Sequence, residues 1–166
     1  MTTIASATVT SSATPAAFFA AWADMATWPE WNLDTEWVRL DGPFVEGARL
    51  GGTIVPTTAD EEVAKLQKPY EGMAVELMVE RVEPMHRLSF RWHPFAVDSS
   101  VDYSDEPMTL VAFELQEVPG GTLLTISESG FDQIPEERRA AAYAANAGGW
   151  EKQALLIEKY LAVHVG

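Results

Sequence analysis

The stretch from Pro135 to Val163 limits what this chain can fold into more than any other. Tyr143, Ala147, Trp150, Ala154, Ile157 and Leu161 recur at alternating spacings of four and three, which lines them up on one stripe of a 3.6-residue helix. Glu151, Lys152, Glu158 and Lys159 fall off that stripe. Small residues (Ala147 and Ala154, with Gly148 and Gly149 beside them) alternate with large ones (Tyr143, Trp150). A helix that only plugged a core would more often be rich in Leu. The stripe therefore predicts a long helix that closes a cavity.

What precedes it is mostly strand. Ile4 to Thr10 is β-prone, and Thr14-Pro15 then supplies an N-cap and a first-turn proline for a short helix through Trp22. A second short helical turn is expected from Asp24 until Pro29 interrupts it. Period-two patterns follow at Trp37–Leu40, Gly47–Val55, Val75–Val79, Leu88–Trp92, Leu110–Val118 and Thr122–Phe131. Pro119-Gly120-Gly121 is a hairpin turn between the last two. The segment from Pro56 to Gly72 carries mixed charge, with a helical turn near Glu61–Leu66, and reads as an insertion or lid-like loop. Antiparallel strands with short links can curl, and the final helix must bury its stripe on the concave face. The expectation is an α+β helix-grip fold: a curved antiparallel sheet wrapped around a long C-terminal helix, with two short helices after the first strand. One domain spanning 1–166 accommodates all of it.

Composition removes several function classes. There are 25 acidic residues against 11 basic ones, a formal charge of -14, so a nucleic acid or an anionic membrane would be repelled. The adjacent pair Arg138-Arg139 is too small to make a basic patch. Without cysteine there is no disulfide, thiolate metal site or Cys nucleophile. No apolar run approaches the ~20 residues needed to cross a bilayer, and the first ten residues lack the pattern of a secretory signal. A cytoplasmic protein is the simplest reading. No Gly-x-Ser-x-Gly elbow, P-loop or dinucleotide fingerprint is present. The three histidines match no metal spacing, so neither a metal nor another cofactor is expected.

Four strings carry a family resemblance: Trp28-Pro29-Glu30-Trp31-Asn32, Phe90-Arg91-Trp92-His93-Pro94, Gly121-Thr122-Leu123-Leu124-Thr125 running on to Glu128-Ser129-Gly130-Phe131, and Gly148-Gly149-Trp150. In this order and spacing the chain resembles the START-like (SRPBCC) superfamily over nearly its whole length. Within it, the chain resembles in particular the branch homologous to the activator of the heat-shock chaperone ATPase. The resemblance implies a helix-grip fold with a deep hydrophobic ligand cavity. It does not imply one chemistry, since relatives include lipid carriers, polyketide cyclases, hormone receptors and chaperone activators.

Each side chain able to do chemistry has a structural alternative. His93 precedes an acidic loop holding Asp98, Asp102, Asp105 and Glu106, which would suit a general base, but a structural histidine outweighs that reading. Glu128 shares a strand face with Leu124 and Ile126 by period two. Inward, it would be a buried carboxylate in need of partners, with Arg91 a candidate. A distortion near Gly130 could equally turn it to solvent. Tyr143 lies on the helix stripe and offers a hydroxyl.

The proposed cavity lining is Arg91, Trp92, Leu124, Ile126, Glu128, Tyr143, Ala147, Trp150 and Ala154, with Arg91 and Glu128 as polar anchors. The first functional reading is a binder of a hydrophobic or aromatic small molecule. The second is a cyclase- or dehydratase-type enzyme that uses the same cavity, so whether a reaction is catalysed stays open. The third is an interaction module acting on a chaperone, implied by the resemblance alone. A homodimer is compatible with all three.

Overall fold

The computed structural model describes residues 4–11, 13–23, 36–39, 46–53, 61–72, 74–94, 100 and 102–164. Its strands are β1 (Ile4–Ser11), β2 (Glu36–Arg39), β3 (Arg49–Thr53), β4 (Ala74–Glu83), β5 (Arg87–Trp92), β6 (Thr109–Val118) and β7 (Gly121–Ser129). The helices are α1 (Pro15–Ala23), α2 (Glu61–Gln67) and α3 (Glu136–His164). All neighbouring strands are antiparallel, in the order β1-β7-β6-β5-β4-β3-β2. This is the expected helix-grip architecture: one antiparallel sheet with a long C-terminal helix across it.

The strand patterns explain the sheet. In β7 every second residue from Thr122 to Glu128 is buried while those between are half-buried. In β1, Ala5 and Ala7 are buried between exposed neighbours. β6 and β7 are joined at the turn the sequence announces: Val118 pairs with Gly121, Pro119 and Gly120 lie between, and Gly120 has φ +86. A side chain is strained at that backbone angle, so glycine suits it. Pairing of β1 with β7 brings the first strand beside the last and closes one side of the sheet.

α3 packs chiefly against β1, with lighter contact to β7. The small inward side chains of Ala5 and Ala7 let a helix lie close there. Trp150 reaches further across the sheet, its ring 5.8 Å from that of Trp92 and 5.9 Å from that of Phe113. Phe90 extends the group, edge-on to Trp92 at 5.5 Å. Aromatic pairs in such geometry add about 0.5–1.5 kcal/mol each beyond the area they bury. The expected stripe holds for Trp150, Ala154, Ile157 and Leu161, all buried, whereas Tyr143 and Ala147 are half-buried against the core. Ala142, Gln153 and Leu156 are buried as well, so the helix is covered over a wider arc than one stripe. Off the stripe, Glu151 and Lys152 are exposed and Glu158 is half-buried.

The lid-like segment contains a true helix, α2, which passes into a 3-10 turn at Lys68–Tyr70. Its acidic start (Glu61, Glu62) and Lys65 near its end complement the helix dipole, and Lys65 also pairs with Glu62. The second short helix expected from Asp24, and residues 56–60 of the lid-like segment, lie outside the described residues.

Close approach of α3 to β1 yields a test. Ala7→Leu should crowd the helix and destabilise the protein by about 1–3 kcal/mol, whereas the same change at exposed Thr8 should be nearly neutral. Denaturant melts of the two variants read the difference, and equal stabilities would place α3 elsewhere.

Candidate functional site

One buried side chain organises the space between sheet and helix. Glu128 is the last inward residue of β7 and has 0% of its surface exposed. Its Oε1 accepts hydrogen bonds from Asn146 Nδ2 and Trp150 Nε1, both at 2.8 Å. Its Oε2 accepts from Trp92 Nε1 at 2.9 Å and from the Thr109 hydroxyl. Two bonds on each oxygen fill the four acceptor positions of a carboxylate. All four donors are neutral side chains, so no cation from the chain offsets the charge among these partners.

Strand register and helical period produce this convergence. Trp92 on β5 pairs with Thr109 on β6, and Val111, two residues further along β6, pairs with Glu128 on β7. Thr109 therefore sits diagonally from Glu128 on the same face. From above, Asn146 and Trp150 are four residues apart on α3 and point the same way. Gly130, with φ +99, turns the chain immediately after β7. The distortion anticipated near Gly130 thus falls two residues beyond Glu128 and leaves its carboxylate inside.

The other expected anchor is elsewhere. Arg91 alternates with Trp92 on β5, so it leaves the opposite face of the sheet, where its Nε donates to Glu80 Oε1 at 3.0 Å. An Arg91–Glu128 pair is therefore ruled out by the pleat: neighbours in a strand point to opposite faces. Of the proposed lining, Trp92, Leu124, Ile126, Glu128, Trp150 and Ala154 do come together, but as packed interior. Leu124 and Ile126 are at 0% exposure, which leaves no open space against them. Tyr143 and Ala147 are the lining positions that keep accessible surface. Tyr143 stands edge-on to Phe131 at 5.4 Å.

His93 is held by the backbone. Its Nε2 lies 3.1 Å from the carbonyl oxygen of Glu106, and since a carbonyl only accepts, that nitrogen carries the hydrogen. Nearby, the Ser104 backbone N–H and then its hydroxyl hold the Asp102 carboxyl below the usual range, with His93 adding a smaller pull. Asp102 is at the surface and not in a catalytic pocket.

Several organising residues carry weak sequence signals. Thr109 and Asn146 are ordinary polar residues whose role depends on register and helical phase. Arg138 is more legible: it lies in the first turn of α3, where the dipole disfavours a cation, so a specific partner is needed. That partner is Glu106, whose Oε1 accepts from Arg138 Nε at 2.8 Å, while Nη1 donates to the Pro94 carbonyl at 2.8 Å. The guanidinium also lies 4.8 Å from the centre of the Tyr103 ring. Together these contacts pin residues 102–106 against the start of α3. Among the described residues, no group of three or more His, Asp or Glu is arranged to hold a metal ion.

A single antiparallel sheet gripping a C-terminal helix is the helix-grip fold of START-like (SRPBCC) proteins. The model of the family described as "Activator of Hsp90 ATPase homolog 1-like protein" matches residues 12–162, and the chain belongs to that family. No curated protein matches the chain. Among solved structures, it resembles protein MLL2253 of Mesorhizobium loti at 22% identity and TM-score 0.58, over 96% of this chain and 98% of that one. A Rhodobacter sphaeroides protein is similar at 23% identity and TM-score 0.66, over 97% and 93%. DynU16, from the dynemicin biosynthetic locus, is similar at 20% identity and TM-score 0.60, over 93% of this chain and 47% of its own length. At such identities the likeness is one of fold. No described helix is long and apolar enough to cross a membrane.

The hub gives a sharp expectation. Glu128→Gln turns one acceptor oxygen into an amide nitrogen that faces two donors, and should destabilise the protein by about 2–4 kcal/mol. Urea melts at neutral pH read the change. A cost below about 0.5 kcal/mol, the usual range for surface substitutions, would mean that the four bonds do not form in solution.

Proposed function

We propose that the protein binds an apolar or aromatic small molecule between its sheet and α3, and that it does so without catalysing a reaction. The observation that carries this reading is the state of the three polar groups best suited to chemistry, of which only Glu128 lies in the aromatic interior. Glu128 has its acceptor positions filled, Arg91 is paired with Glu80, and His93 is bound to a backbone carbonyl. A general acid or base needs a proton position within reach of substrate. Glu128 has none to spare, and Arg91 stays a cation on the far face of the sheet. The acceptor left, His93 Nδ1, belongs to a residue past the end of β5. The remaining surface, with Phe90, Trp92, Phe113 and Trp150 on facing elements, suits recognition by shape and by ring contacts.

The half-buried pair Tyr143 and Ala147 is the proposed entry side, since it retains access while the deeper lining is closed. Location in the cytoplasm agrees with this reading, as does a chain that works as a single START-like domain. A second reading, contact with a chaperone, is favoured by the name of the matched family. The relation to a biosynthetic locus through DynU16 keeps a cyclase-type activity as the third.

Titration with a neutral environment-sensitive dye such as 6-propionyl-2-(dimethylamino)naphthalene, with tryptophan emission as donor, tests the proposal. Saturable binding that a non-fluorescent aromatic competes away is the expected result. Native mass spectrometry of freshly purified protein should in addition show an adduct of small-molecule mass. If neither dye nor adduct is found, while the protein alters the ATPase rate of a chaperone, the second reading replaces the first.

A further inference from the structure

Gly148 has no steric reason to be glycine. It lies in the interior of α3 and is half-buried, and a Cβ built there would meet nothing within 4 Å. Its backbone is not in the left-handed region that favours glycine. Glycine in a helix interior costs roughly 0.5–1 kcal/mol relative to alanine, and here a second glycine follows it directly. At Gly148, the closed arrangement thus contains a weak point that the packing around that residue does not require.

That weak point separates two independently anchored halves. The first half is tied to the β5–β6 connection by Arg138, which grips Glu106 and the Pro94 carbonyl, and to the turn after β7 by Tyr143 against Phe131. The second half is sunk into the sheet by Trp150, Ala154, Ile157 and Leu161. Asn146 and Trp150, which both bond Glu128 Oε1, stand on opposite sides of the glycine pair. Asn146 is half-buried, Trp150 fully so.

We propose that α3 hinges at Gly148-Gly149, and that this motion admits ligand to an interior that is packed when closed. The inference rests on the ligand-binding reading above and gives that site its gate. The first half of the helix swings with residues 102–106, giving up the Pro94 carbonyl, the Phe131 ring and the burial of Ala142, while Trp150 stays in place. Asn146 leaves Glu128, so one acceptor position on Oε1 opens among aromatic rings. The ligand that fits is an apolar or aromatic molecule bearing a neutral hydrogen-bond donor, a hydroxyl or phenol, which replaces the Asn146 amide. A carboxylate on the ligand is disfavoured by the charge of Glu128 itself.

The test compares 2-naphthol with naphthalene on the wild type and on Gly148→Ala, a variant that has room for its methyl group. Alanine favours the straight helix, so it should weaken 2-naphthol binding by about five-fold, the ratio that ~1 kcal/mol of helix preference converts to. Hydrogen exchange, read without any ligand, should show amides of 144–150 opening well before those of β7 in the wild type. Gly148→Ala should slow them by a similar factor and leave β7 unchanged. Naphthalene should bind more weakly than 2-naphthol throughout. If residues 144–150 exchange together with β7, or Gly148→Ala slows every amide alike, the hinge is overturned whatever the ligand does. If the hinge signature is present and neither compound binds, the hinge stands while its role as ligand gate and the ligand-binding reading both fall. Equal affinity for the two compounds overturns the Glu128 anchor.

Discussion

Everything between sheet and helix depends on a carboxylate placed where water cannot reach it. Withdrawing an ion from water costs several kcal/mol even after the protein relaxes. Four hydrogen bonds to a charged acceptor, at about 1.5–3 kcal/mol each, are of the size needed to offset that cost. Glu128 therefore contributes little net stability if all four partners are present and a large penalty if one is missing. This asymmetry makes it a device for position. The donors come from β5, β6 and α3, and only one depth, rotation and register satisfies them together.

The aromatic packing follows from this. Trp92 and Trp150 must present their indole N–H groups to opposite oxygens of the same carboxylate, which fixes how their rings meet. Phe90 and Phe113 fill the space that remains around them. A tryptophan in this setting has two duties, one polar and one apolar, and no other side chain performs both with the same shape. The helix is held at its start by Arg138 and at its centre by the hub, whose Asn146 and Trp150 fall on either side of a glycine pair.

Such an arrangement leaves the buried carboxylate without a free acceptor position. A buried carboxylate resembles an active-site acid until its partners are counted. Here the partners use all of its acceptor capacity, and the cation expected to polarise it lies on the far face of the sheet with Glu80. On the proposed binding reading, recognition falls to shape and to the ring surfaces of Phe90, Trp92, Phe113 and Trp150.

The sequence by itself determined the order of the described strands and helices, and that Leu124, Ile126 and Glu128 share one face of β7. The inward place of Glu128 was decided by the structure. Period-two alternation across Leu124, Ile126 and Glu128 and the four-three recurrence from Trp150 to Leu161 are local properties, because side-chain direction follows from backbone geometry alone. The same alternation already contained the answer for Arg91, whose neighbour Trp92 could not be inward unless Arg91 was outward. Arg138 could also have been suspected, since a cation in the first turn of a helix opposes the dipole. What only the tertiary structure decided is the meeting of Thr109, Trp92, Asn146 and Trp150 on one carboxylate. Those contacts depend on strand register and on the rotation of α3, which are set by closure of the whole sheet and by no property of any single segment. Whether the lining was cavity wall or packed core was decided at the same level, because local pattern fixes which way a side chain points but not how closely the opposite wall approaches.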